Sequence, residues 1–171
     1  SVAGINKTFI KTRPEPTGVF GYGSGADLSA PRREVENDDH TSFVMEFANG
    51  ASGHIEASRV ATGRTWHQSV EVIGSRGALQ FVQQDIHTLR LYLVGDSVDK
   101  KGYKEIELGP THGDYGAFWP FAGVPIGVHE LKTIEVNEWL HAIAEDRRPD
   151  GDFKEGWRVA EVLDAVETAA A

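Results

Sequence analysis

TSFVMEFANGASGHIEASR, Thr41 to Arg59, and SVEVIGSRGALQFVQ, Ser69 to Gln83, are the two runs that decide the fold. In the first, Phe43, Met45 and Phe47 alternate with Ser42, Val44 and Glu46, the period-two pattern of a half-buried strand. After Ala48-Asn49-Gly50 the alternation resumes, with Gly53, Ile55, Ala57 and Arg59 against His54, Glu56 and Ser58. Asn-Gly between two such runs signals a hairpin. A two-residue Asn49-Gly50 loop would set Phe43 against Glu56 and Met45 against His54. A three-residue loop, Ala48 to Gly50 with Gly50 left-handed, sets Phe43 against Ile55 and Met45 against Gly53. One residue of slip turns every side chain to the other face, so the apolar pattern selects the three-residue loop.

In the second run the turn is Gly74-Ser75-Arg76-Gly77, with Val72 facing Leu79 and Val70 facing Phe81. Together the runs predict one meander. Its apolar face carries Phe43, Met45, Phe47, Ile55, Val70, Val72, Leu79 and Phe81. Its other face carries Glu46, His54, Glu56, Ser69, Glu71 and Gln80.

Working outward, Ser1 to Thr12 reads as a strand and Arg13 to Pro31 as a long Pro/Gly/Ser loop. Gly21-Tyr22-Gly23-Ser24-Gly25 in that loop invites a dinucleotide reading, but the spacing is not G-x-G-x-x-G, and Pro31 interrupts any helix after it. Beyond the meander, Leu89, Leu91 and Leu93 mark a further strand and Lys104 to Leu108 another, across a polar turn at Gly95 to Gly102. Gly109 to Gly127 is a second long irregular stretch, and its Tyr115, Phe118, Trp119 and Phe121 argue against disorder. Two helices close the chain. One has the stripe Val128, Leu131, Val136, Trp139, Leu140 and Ile143; the other starts at Asp152 with Glu155 and has the stripe Phe153, Val159, Ala160, Val162, Leu163 and Val166. Strands first and helices last give an α+β class: an open-faced, mostly antiparallel β-sheet with helices packed on one face.

The 171 residues fit a single domain, 1–171, and the net charge of −9 disfavours nucleic acid as a partner. There is no cysteine, which excludes disulfides and thiolate metal sites. No apolar run reaches the ~20 residues of a membrane helix, so the expected setting is cytoplasmic. The abrupt start at Ser1 fits a fragment of a longer chain as well as a processed protein.

Seven histidines, His40, His54, His67, His87, His112, His129 and His141, form no H-x-x-x-H or H-E-x-x-H pair, and none has a cysteine neighbour. Glu46, His54, Glu56 and Glu71 suit a hard cation less well than a solvated or dimer-forming face. No G-x-S-x-G and no P-loop is present.

The segments Phe47 to Gly53, Ala57-Ser58-Arg59, Glu71 to Leu79 and Asp152 to Trp157 resemble, in order, the C-terminal domain of the Gfo/Idh/MocA oxidoreductases. The loop Phe118 to Glu130, with Ile126-Gly127 ahead of the helix, fits as well. The resemblance implies an NAD(P)-dependent parent enzyme that moves hydride between a nicotinamide and a sugar, cyclitol or related polyol. Its Rossmann domain would lie upstream. The family's Glu-Lys-Pro motif and its helix-borne Asp and His are absent here; Pro14-Glu15-Pro16 is the only Pro-adjacent Glu. The resemblance therefore implies the substrate and oligomerisation half, with no catalytic residue and with NAD or NADP bound by the parent rather than by this chain. It places Arg64, Trp66 and His67, before the third strand, on the substrate pocket. Trp66 would stack on a sugar's C–H face and His67 and Arg64 would bond hydroxyls; the alternative is that Trp66 is a core residue of an edge strand. Arg59, Trp119 and His129 are further substrate-binding candidates by loop position. The expected partner is a second copy, met through the face bearing Glu46, His54, Glu56 and Glu71. The competing reading is a stand-alone binding or oligomerisation module, separated from the first by whether a glycine-rich strand–helix unit of about 120 to 150 residues precedes Ser1.

Overall fold

The computed structural model describes residues 1–16 and 27–170, in the order β1 (Val2–Lys7), β2 (Thr12–Pro14), β3 (Arg32–Glu34), β4 (His40–Glu46), β5 (Ser52–Ser58), β6 (Ser69–Gly74), β7 (Gly77–Val82), β8 (Thr88–Leu93), β9 (Lys104–Glu107), α1 (Val128–Ala144) and α2 (Phe153–Ala170). Two compact units result, one holding β1–β5 and α2, the other β6–β9 and α1. The class is α+β, and every strand pair among the described residues is antiparallel.

In the first unit the sheet order is β1-β4-β5. Phe43 faces Ile55 and Met45 faces Gly53, the register that the apolar pattern selects. Phe47 N–H donates to the Ala51 carbonyl at 2.8 Å, closing the three-residue loop, and Gly50 takes φ +83°. Phe43 is buried. Gly4 lies opposite it, where a Cβ would come within 2.5 Å of the Phe43 Cβ, so β1 approaches closely only because Gly4 has no side chain.

The expected strand Ser1 to Thr12 is interrupted. β1 stops at Lys7 because the next residues wrap the buried carboxylate of Asp39, which accepts from the Ile10 N–H at 2.8 Å and from Arg13. An amide held by a carboxylate is lost to the ladder. The chain then re-enters extended backbone in β2, which pairs with β3, so the loop expected from Arg13 to Pro31 begins with strand. Gly21 to Gly25 lies outside the described residues.

Asp152 caps α2 as expected, its Oδ1 accepting from the N–H groups of Lys154 and Glu155, both at 2.9 Å. α2 packs along β1 and buries Val166, with Val162 half-buried. The expected stripe is only partly inward. Phe153 is 86% exposed, because at 100° per residue it stands about 180° from Val162.

In the second unit the sheet order is β6-β7-β8-β9. Ser75-Arg76 is the turn centre, Val72 faces Leu79 and Val70 faces Phe81, as the sequence predicts. A Cβ on Gly77 would meet the Tyr92 carbonyl oxygen at 2.2 Å, which lets β8 lie against the turn only with glycine there. The single meander predicted from Thr41 to Gln83 is therefore two sheets. β5 and β6 are not paired, and the segment between them turns at Gly63 (φ +90°) and Trp66 (φ +41°). The helix cover expected for the apolar face is also absent at Val70, Val72 and Leu79, which are 60%, 59% and 42% exposed. α1 buries Ala142, while Leu140 and Ile143 of its stripe are exposed.

Candidate functional site

The most unusual backbone in the second unit is at Trp66. A bulky residue in the left-handed region costs about 1–2 kcal/mol, so the surroundings must hold it there. Its indole is 69% exposed, so burial of the ring does not repay that cost.

What holds it is a side chain from the next strand's end. Beyond the Ser69–Val82 rung of β6–β7, Gln83 N–H donates to the Gln68 carbonyl at 2.9 Å. One step further the chain brings Gln84, in a short 3-10 turn at Gln83–Asp85, to His67. The Gln84 Nε2 donates to the Thr65 carbonyl at 3.1 Å and lies 3.4 Å from the Thr65 hydroxyl. Its Oε1 is 2.6 Å from His67 Nδ1. The guanidinium of Arg64 reaches the same ring nitrogen at 3.4 Å. One amide thus grips both neighbours of Trp66. Arg64, Trp66, His67 and Gln84 together offer a cation, an exposed aromatic plate and a half-buried imidazole, the mixture that binds polyhydroxylated ligands.

The other candidates are placed elsewhere. Trp119 lies in the irregular stretch and rests against Phe121, ring centroids 6.3 Å apart. That stretch folds on itself: His112 Nδ1 accepts from the Gly109 N–H at 3.1 Å, and a Cβ on Gly116 would meet the Pro110 carbonyl oxygen at 2.6 Å. His129 is exposed in the first turn of α1, its carbonyl accepting from the Thr133 hydroxyl at 3.0 Å. Among the described residues no hydrogen bond or ring contact ties Trp119 or His129 to the Trp66 loop. Arg59 belongs to the first unit, where its N–H extends β5 by donating to the Asp39 carbonyl at 2.8 Å.

Glu46, His54, Glu56 and Glu71 do not share one sheet, since the first three lie on β4 and β5 and Glu71 on β6. Each of three has a neighbour of its own: Glu46 accepts from the Ser1 hydroxyl at 3.3 Å, His54 Nε2 is 3.3 Å from Ser42 Oγ, and Glu71 accepts from the Tyr103 hydroxyl at 2.8 Å. That bond raises the Tyr103 pKa, because it stabilises the protonated phenol. Among the described residues no group of three or more His, Asp or Glu is placed to hold a metal ion, and no helix is long and apolar enough to cross a membrane.

A nicotinamide dinucleotide does not fit the residues described. Its pyrophosphate normally meets a free helix N-terminus after a parallel strand. Among the described residues every ladder is antiparallel, and the N-terminus of α1 is filled by its own Glu130, whose carboxylate accepts from the Gly127 N–H at 2.8 Å. Bonds from backbone N–H groups hold the Glu130 carboxyl below its ordinary range.

Residues 13–80 match the GFO/IDH/MocA C-terminal domain. Over those residues the chain is similar to that family's C-terminal domain. The likeness extends past the matched residues. Levoglucosan dehydrogenase from Pseudarthrobacter phenanthrenivorans is 31% identical over all of this chain, which spans 44% of that protein. The crystal structure of an oxidoreductase domain protein from Kribbella flavida superposes with a TM-score of 0.87 at 35% identity, covering 99% of this chain and 43% of its own. A levoglucosan dehydrogenase in complex with NADH and L-sorbose gives 0.87 at 31% identity, covering 99% and 42%. The chain thus spans less than half the length of the relatives it matches.

Gln84 is the residue of the Trp66 loop's surroundings that the sequence did not single out. The signal was available. Val72–Leu79 and Val70–Phe81 already set the register, and carrying it outward brings His67 opposite Gln84.

Proposed function

We propose that this chain is the substrate-facing and oligomerisation domain of an NAD(P)-dependent dehydrogenase acting on a sugar or polyol, and that it is inactive by itself. One observation carries the substrate role: an exposed tryptophan kept in strained backbone beside a half-buried histidine. Strain of this kind persists where the surroundings enforce it, and it clusters at ligand sites. The indole offers a face to the C–H groups of a sugar ring, while Arg64 and His67 offer polar partners to its hydroxyls. Oxidation of an alcohol carbon would send its hydride to the nicotinamide and the hydroxyl proton to a base, both in the remainder of the parent protein. This chain's share is to bind and orient the carbohydrate.

The test is steady-state kinetics of the full-length protein with NAD and levoglucosan, then with L-sorbose and NADH. Trp66→Ala and His67→Ala should each raise KM about tenfold, the equivalent of ~1.4 kcal/mol, with kcat changed far less. An unchanged KM in both variants overturns the reading. The 171-residue chain alone should bind neither NAD nor NADP tighter than about 100 μM by calorimetry.

The oligomerisation role is supported by the sheet of the second unit. Ile73, on the same face as Glu71 by strand alternation, is 76% exposed, and Tyr103 beside Glu71 is 45% exposed. Apolar groups ringed by hydrogen-bonding ones suit a two-fold contact between copies. The stand-alone module is the second reading, favoured by the exposed Val70, Val72 and Leu79.

A further inference from the structure

We propose that Gln84 is a positioning residue of the carbohydrate site, which sets the tautomer of His67 so that Nε2 accepts a hydrogen bond from a substrate hydroxyl. The proposal rests on the sugar reading above and goes beyond it by assigning the direction of one bond.

The argument starts from the amide. Gln84 Nε2 lies 3.1 Å from the Thr65 carbonyl oxygen, an atom that only accepts, so the NH2 group must be on that side. The opposite orientation would put two carbonyl oxygens together. Oε1 therefore faces His67 Nδ1, and at 2.6 Å the ring nitrogen must be the donor. The neutral ring then carries its proton on Nδ1 and a lone pair on Nε2. Arg64, at 3.4 Å from Nδ1, would need a lone pair there, and the much shorter contact to Gln84 prevails.

Nε2 makes no hydrogen bond among the described residues. A sugar hydroxyl arriving at it must donate. The same hydroxyl remains free to accept, for instance from a guanidinium, so each hydroxyl at this position is read as both donor and acceptor. An ether oxygen or a carbonyl oxygen at that place would find no donor on His67. The site therefore separates the alcohol from a ketone or a blocked hydroxyl at the atom that meets His67. Because the amide also holds Thr65, it fixes both residues that flank the Trp66 plate, and one side chain coordinates the aromatic and polar halves of recognition.

The experiment uses the full-length protein, with ring 15N shifts of His67 assigned by their loss in His67→Gln, and with levoglucosan and NAD as the kinetic probe. In the unaltered protein with the ring neutral, His67 should show a protonated Nδ1 and an unprotonated Nε2. Gln84→Leu should move the ring toward the Nε2–H form that free imidazole side chains favour. It should also raise KM about tenfold, the scale of one lost hydrogen bond, with kcat within about twofold. Gln84→Glu keeps the acceptor and should keep the Nδ1–H tautomer. A merely structural role would move neither tautomer nor the split between KM and kcat. If the leucine variant does not fold, Gln84→Met, closer in shape, takes its place. An Nε2–H ring in the unaltered protein overturns the proposal, and so does a leucine or methionine variant with an unchanged ring or an unchanged KM. The tautomer is read without substrate, so it fails or stands apart from the sugar reading, which fails if His67→Ala and Trp66→Ala leave KM unmoved.

Discussion

The carboxylate of Asp39 accepts from the backbone N–H of Ile10 at 2.8 Å, across 29 residues of chain, while its other oxygen meets Arg13. Asp39 is 1% exposed. The Ile10 amide and then the charge of Arg13 hold its carboxyl below the usual range, against the opposite push of burial. A group with a depressed folded pKa stabilises fully above its unfolded value, near pH 4, and the contribution disappears as pH falls through the folded value. Asp39→Ala should lower Tm by about 5–10 °C at neutral pH, and the difference from the unaltered protein should shrink toward pH 2. Thermal melts across that range check it; a difference independent of pH would remove the carboxylate from the explanation.

Glu138 and Arg147 close the end of α1. Arg147 donates to both Glu138 oxygens at 2.6 and 2.9 Å and to Glu145 at 2.6 Å, and the Asp150 N–H reaches Glu138 at 3.2 Å. The Arg147 bonds, followed by that amide, lower the Glu138 pKa from 4.5 to about 2. The staple is complete above the ordinary glutamate range and is lost as pH falls from there toward about 2. A 13C titration of the Glu138 carboxyl should find its midpoint well below the ordinary glutamate value of 4.5. A midpoint near 4.5 would mean the bidentate pair does not persist in solution.

Two glycines should respond differently to alanine. At Gly77 the new Cβ meets backbone, the Tyr92 oxygen, which cannot step aside. Gly77→Ala should cost about 1–3 kcal/mol through displacement of β8. At Gly50 nothing lies within 4 Å, and only the φ of +83° resists, so Gly50→Ala should cost about 1 kcal/mol. Urea denaturation of the pair tests the order.

Trp66→Gly removes the backbone strain, about 1–2 kcal/mol, and adds about 0.5–1 kcal/mol of unfolded-chain entropy. Stability should therefore hold or rise slightly, while KM for a sugar substrate of the full-length protein rises. A loss of several kcal/mol would show that the ring packs in the folded protein and is not held for a ligand.

Glu71→Lys should shift the monomer–dimer equilibrium measured by light scattering, while Glu167→Lys, at an exposed position of α2, should not. A monomer at high micromolar concentration, or a dimer indifferent to Glu71→Lys, would count against association through that face.

Much of this architecture was legible from residue types. Phe43, Ile55 and the parity of Ala48-Asn49-Gly50 specify the first hairpin, and Val72 and Leu79 the second, because a wrong register would put charge among apolar groups. The division into two sheets was not legible. It depends on how the chain turns between Val60 and Gln68, where no periodicity speaks, and on a left-handed Trp66 that no propensity favours. Helix stripes misled for a related reason. Spacing says which side chains share a face, as Val162 and Val166 do, but not whether an element lies over that face. At the site, Arg64, Trp66 and His67 were found as neighbours in sequence, whereas Gln84 required the hairpin to be followed past its last apolar pair.

The two-residue turn at Ser75-Arg76 acts as a ruler for chemistry at the far end of its hairpin. His67 stands seven positions before Gly74 and Gln84 seven positions after Gly77, with the paired strands Ser69–Gly74 and Gly77–Val82 between. A single inserted residue in that turn would touch neither the loop nor any ligand. It would nevertheless slide the return strand by one place, offering Gln83 or Asp85 to His67 in place of Gln84. A length change in a surface turn would thus alter the site while leaving Arg64, Trp66 and His67 in place.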